Sequence, residues 1–168
     1  RVPRERLADL GQHESPPAGQ GETLGEADPQ HDRLDATLLV VEMLVAEAPQ
    51  YAPGDPLDPS TVMGALVDDT QLKTVMGYIE AGVQEQARCV AGGRRARADS
   101  GGFYVEPTIF DGVENGMKIA REEIFCPVLG VIRFKTEAEA IALANNSAYG
   151  LQASVWSHDV NRAHRVAR

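Results

Sequence analysis

Helical and strand patterns alternate along residues 68–168, and this alternation limits the fold more than any other feature of the sequence. The first helix of the series is the clearest. Leu72, Val75, Met76, Ile79 and Val83 fall on one face at a 3.6-residue period, and Asp68 or Asp69 is placed to cap its start. Ala87 to Ala91 then reads as a short strand closed by Gly92-Gly93. Phe103 to Phe110 is β-rich, but Pro107 interrupts it, so an edge or a strand pair is expected there rather than a central strand. One helical turn is expected over 117–122, a buried strand from Val128 to Phe134, and a helix from the Thr136 cap to Ala144. Asn145-Asn146-Ser147 breaks that helix, Leu151 to Trp156 reads as a strand, and Asp159 caps a final helix. Such an order predicts an α/β fold, a layered sheet with flanking helices.

Upstream the pattern is less regular. Leu34, Leu38, Val41 and Val45 keep helical spacing, with Leu44 widening the stripe and Pro49 and Pro53 ending it. Gly54-Asp55-Pro56-Leu57-Asp58-Pro59 is turn chemistry, with prolines presetting φ and aspartates offering side-chain acceptors. Residues 1–33 show no sustained period, few large apolar groups and several breakers, so they are expected to be mostly irregular. The chain thus divides into an irregular segment, 1–33, and one domain, 34–168. Its 168 residues leave room for little more.

Charge and cysteine content narrow the partners. Residues 1–60 carry 12 of the 25 acids and 4 of the 16 bases, and the whole chain stands at −9. That surplus argues against a nucleic-acid partner, which needs a basic face. The longest aliphatic run, Leu38-Leu39-Val40-Val41, is far shorter than the ~18 residues of a membrane span, and no export signal is read at the start. Cys89 and Cys126 are the only cysteines, which suits a reducing, cytoplasmic setting. His13, His31, His158 and His164 lack paired-ligand spacing, so no metal site is expected. Arg94, Arg95 and Arg97 read as a solvated loop, Cys89 and Trp156 as core, and Gly19 and Gly21 do not form a phosphate cradle.

Five blocks carry a resemblance. They are Gly54–Pro59, the helix ending at Gly92-Gly93, Gly102-Phe103-Tyr104-Val105-Glu106-Pro107-Thr108-Ile109-Phe110, Arg121-Glu122-Glu123-Ile124-Phe125-Cys126-Pro127-Val128, and Asn145-Asn146-Ser147-Ala148-Tyr149-Gly150-Leu151. In this order they resemble the C-terminal part of the catalytic domain of the NAD(P)-dependent aldehyde dehydrogenases, over about residues 54–168. The resemblance implies a partial catalytic domain of that family. It also implies a complete enzyme that oxidises a small aldehyde to an acid through a cysteine thiolate, with NAD or NADP as hydride acceptor. Subunits of this family associate, so a homo-oligomer is implied as well.

Residue by residue, the resemblance assigns Glu123 to the carboxylate that accepts hydrogen bonds from the nicotinamide ribose. A carboxylate suits two vicinal hydroxyls because it offers two acceptor oxygens and no donor. Phe125 corresponds to the aromatic near the nicotinamide, with plain core packing as the other reading. Cys126 stands where the family has glycine, a residue used for close approach or positive φ. It is expected to be a small buried hydrophobe, with a replacement nucleophile as the alternative. No cysteine precedes Cys89, so the family's nucleophile has no counterpart here, and no catalytic residue is assigned. Two functions follow: a portion of an aldehyde dehydrogenase, inactive alone, or a non-enzymatic interaction or oligomerisation module.

Overall fold

The computed structural model describes residues 29–168, with side chains from residue 37 onward. Most of the segment expected to be irregular, together with His13, Gly19, Gly21 and the side chains of His31 and Leu34, lies outside the described residues. Helix α1 (Pro29–Glu47) begins ahead of Leu34. It buries Val41, half-buries Leu44 and Val45, and leaves Leu38 exposed. A short 3-10 turn, Ala48–Tyr51, carries Pro49 in its first turn. In the turn that follows, Asp55 accepts from the Leu57 amide at 3.0 Å and Asp58 from the Ser60 amide at 2.9 Å, as aspartates in turns do.

Helix α2 (Asp69–Gln84) is capped by Asp68, whose carboxylate accepts from the Gln71 amide at 2.8 Å. Its inner face buries Leu72, Val75 and Ile79 and half-buries Met76. The last turn departs from expectation: Val83 is exposed and Gly82 is buried in its stead. The helix approaches its neighbours most closely at Gly82, where an added Cβ would come within 3.1 Å of both Phe110 and Ile119. Val83, turned about 100° further round the helix, points away from that contact.

Strands β1 (Arg88–Ala91), β4 (Thr108–Asp111) and β5 (Val128–Gly130) form one sheet in the order β1-β4-β5. β1 runs antiparallel and β5 parallel to β4, with a bulge between Cys89 and Ala91. Strands β2 (Arg95–Ala96) and β3 (Tyr104–Val105) make a separate antiparallel pair. Pro107 therefore divides two strands of different sheets. Contrary to expectation β4 is central, because its ladder begins only after the proline. All four β4 residues are buried. The core joins Leu72, Val75 and Ile79 of α2 to Phe110, Val105, Val113 and Ile119. Gly92, at φ +67°, permits the tight exit from β1, since a Cβ there would meet the Pro107 carbonyl oxygen at 2.2 Å.

The parallel crossover from β4 to β5 passes through the one-turn helix α3 (Lys118–Arg121). Helix α4 (Glu137–Asn145) is capped by Thr136 and helix α5 (Val160–Val166) by Asp159. Arg165 joins the two by hydrogen bonds to Glu137 at 2.7 and 2.8 Å. Three expectations fail in this half. β5 is shorter than Val128–Phe134 and its residues are only partly covered. Leu151–Trp156 forms no ladder, and Trp156 is 92% exposed rather than core. A strand needs a neighbour to bond to and a layer to bury its face; β5 has β4 on one side only, and among the described residues Leu151–Trp156 has no ladder partner. Cys89 is likewise exposed, because β1 is an edge strand. Among the described residues no helix is long and apolar enough to cross a membrane.

Candidate functional site

The chain leaves α3 at Glu122 in extended conformation and reaches β5 through residues 122–127, which lie in no strand. Here Phe125 adopts φ +51°, unusual for a residue with a side chain. The turn is closed by the Val128 amide donating to the Cys126 carbonyl at 2.7 Å and the Thr108 amide donating to the Pro127 carbonyl at 2.9 Å. From the first turn of α2, the Gln71 side chain donates to the carbonyls of Ile124 and Phe125 at 3.3 and 3.4 Å.

The two adjacent glutamates have different surroundings. Glu122 accepts from the Tyr78 hydroxyl at 2.8 Å and from the Lys118 ammonium at 2.9 and 2.8 Å on its two oxygens. The Lys118 contact, helped by Tyr78, holds the Glu122 carboxyl below the usual range and pushes the lysine up. Glu123 makes no hydrogen bond or ion pair among the described residues. It lines a groove of about 660 Å³ together with Glu122, Ser147, Tyr149, Gly150 and Leu151. The Ser147 hydroxyl accepts from the Tyr149 amide at 3.1 Å and shapes that wall as a local turn. One carboxylate is thus committed to its neighbours, and the other offers two free acceptor oxygens to a groove. That pair of acceptors fits a pair of sugar hydroxyls, which donate.

Phe125 shares the loop but does not line the groove, and at 81% exposure it is not a core residue. Cys126 is half-buried against the core, and burial alone pushes its thiol up to about 12. The positive φ of this block falls on Phe125 rather than on Cys126, so the cysteine fills its place without backbone strain. Cys89 is also pushed up, mainly by partial burial, and donates to the Ala91 carbonyl at 3.3 Å. Among the described residues neither thiol has the cationic neighbour that makes a nucleophile.

The arginine loop lies elsewhere and is exposed. Arg94 pairs with Glu106 at 3.4 Å, Arg95 donates to the Gly102 carbonyl at 3.0 Å, and Arg97 lies over the Tyr104 ring at 5.1 Å. His158 and His164 are exposed, and among the described residues no three metal-ligating side chains cluster. Sequence reasoning missed Tyr78 and Gln71, whose partners lie across the fold, and Lys118, whose ammonium pairs with Glu122 at the i,i+4 spacing that could have found it. Tyr78 and Gln71 are seven positions apart on α2, two helical turns, so they share a face. Nothing in the sequence links that face to residues 122–125.

The model of the aldehyde dehydrogenase family matches residues 31–168. A betaine aldehyde dehydrogenase of Mesorhizobium japonicum is 46% identical over 138 residues, 81% of this chain and 27% of that protein. The mitochondrial aldehyde dehydrogenase of Equus caballus is 40% identical over 89% of this chain and 29% of its own length. Among solved structures, an indole-3-acetaldehyde dehydrogenase mutant of P. syringae in complex with NAD+ and IAA superposes with a TM-score of 0.77. It is 50% identical and covers 79% of this chain and 27% of that chain. A Mycobacterium tuberculosis aldehyde dehydrogenase complexed with NAD+ superposes at 0.73, with 42% identity over 81% of this chain and 28% of its own. The chain therefore spans little more than a quarter of the length of these relatives.

Proposed function

This chain belongs to the aldehyde dehydrogenase family, and from that premise we propose that it supplies the cofactor-side part of a catalytic domain. Together with the rest of such a subunit it would oxidise an aldehyde to a carboxylic acid. Bound NAD or NADP would accept the hydride. The observation that carries the reading is Glu123, an unpaired carboxylate in a groove, on the motif the family uses against the nicotinamide ribose. Phe125, exposed two residues on, is available to lie against the nicotinamide side of the same ligand. The sulfur chemistry belongs outside residues 1–168, because the one thiol near this loop is held protonated by burial. Two free thiols and relatives from bacteria and mitochondria fit a reducing cytoplasmic or organellar interior.

The test has two arms. NAD+ added to the purified chain is expected to show saturation transfer to its nicotinamide-ribose protons, and Glu123→Gln is expected to reduce it. Aldehyde-dependent reduction of NAD(P) is expected to stay at background. Absence of any ribose contact removes the cofactor role, and turnover abolished by Cys126→Ser would make that thiol the nucleophile.

A second reading, an interaction or oligomerisation module that joins a second copy, is favoured by the exposed apolar side chains of Leu151, Trp156 and Val160. Sedimentation equilibrium is expected to show self-association that Trp156→Lys weakens. A monodisperse monomer with a sharp melt removes this reading.

A further inference from the structure

We infer that Tyr78 and Lys118 are positioning residues that act through Glu122 to hold the Glu123 carboxylate in its groove, an inference that rests on the cofactor reading of Glu123. Glu122 has extended backbone, φ −120° and ψ 149°, and borders the same groove as Glu123. Tying the Glu122 side chain down therefore fixes the backbone from which Glu123 enters that groove.

The tie is made by three groups that also contact one another. Tyr78 donates to one Glu122 oxygen, Lys118 donates to both, and the Lys118 ammonium lies 5.0 Å from the Tyr78 ring centroid. Lys118 is itself located by its backbone amide, which donates to Glu85 just past the end of α2 at 2.8 Å. Gln71 grips the other end of the same loop through the Ile124 and Phe125 carbonyls. Tyr78 and Gln71 stand on α2, whose adjoining face is anchored in the core by Leu72, Val75 and Ile79, and Lys118 opens α3. A mobile loop would have to give up its freedom on binding a ligand, and a loop already held does not.

The cluster is solvent-exposed, and exposed ion pairs contribute little to global stability. This separates positioning from structure. In Tyr78→Phe, 15N relaxation is expected to show the order parameters of residues 122–126 falling from about 0.85 towards 0.6, while β4 and the melting midpoint are unchanged. Saturation transfer to the NAD+ ribose is expected to fall severalfold. Lys118→Met should act in the same direction, and Lys118→Arg should restore both readouts. Unchanged order parameters at 122–126 in Tyr78→Phe would overturn the inference, as would undiminished NAD+ contact despite a loosened loop. If the wild-type chain gives no ribose contact, the cofactor reading fails, and the relaxation data alone decide whether Glu122 is a brace.

Discussion

Arg88 and Asp111 stand directly opposite one another across the antiparallel β1–β4 pair, and the guanidinium donates to the buried carboxylate at 2.5 Å. Asp111 is only 2% exposed, whereas Arg88 remains largely in solvent. From the other side Arg133, beyond the end of β5, donates to both Asp111 oxygens at 3.1 and 2.9 Å. The Gly112 amide adds a fourth hydrogen bond. One carboxylate thus joins the central strand to segments on both flanks of the sheet. Burial of an acid ordinarily raises its pKa, but the two guanidinium groups and the amide outweigh burial and hold Asp111 below the usual range.

Asp111→Asn keeps the shape and removes the charge on which both arginines converge. It is expected to lower unfolding free energy by about 1–3 kcal/mol, read from the urea midpoint at neutral pH. A midpoint equal to that of the parent chain would mean that the arginines contribute nothing through this group.

The same residue sets a pH dependence. Its folded pKa is depressed, so its contribution is fully present above the ordinary aspartate value near ~3.9 and is lost as pH falls from there through the folded pKa. The stability gap between parent and Asp111→Asn should therefore narrow on acidification through that window. A gap that stays constant to the lowest pH at which both fold would contradict the assignment.

The two thiols should differ in reactivity. At pH 8 iodoacetamide is expected to modify exposed Cys89 first and Cys126 far more slowly, because Cys126 is half-buried and pushed up to about 12. Peptide mass spectrometry of a labelling time course reads the order. Faster labelling of Cys126 would revive its candidacy as a nucleophile.

At Gly92 both the positive φ and the Pro107 carbonyl oxygen, which an added Cβ would overlap, oppose any side chain. Gly92→Ala is expected to cost about 2 kcal/mol or more. Gly116→Ala, where nothing lies within 4 Å of a new Cβ, serves as the control. Equal melting temperatures for the two variants would show that the β1 exit relaxes freely.

What the sequence determined was local or carried by motif. Asp68, Thr136 and Asp159 cap helices where expected because each bonds amides two or three residues ahead. The inner stripe of α2 followed from its period, and the family from the order of five short blocks. What only the tertiary structure decided depends on partners far apart in the chain. Val83 gave way to Gly82 because the place of closest approach to β4 is set by packing. Leu151–Trp156 has strand composition but no ladder, since a strand's hydrogen bonds belong to its neighbour and not to itself. Arg88 and Arg133 meet Asp111 from 23 and 22 positions away, and Tyr78 meets Glu122 from 44. The sequence named Glu123; which of two adjacent glutamates is tied down and which is left free in a groove was settled by the helix that packs beside them.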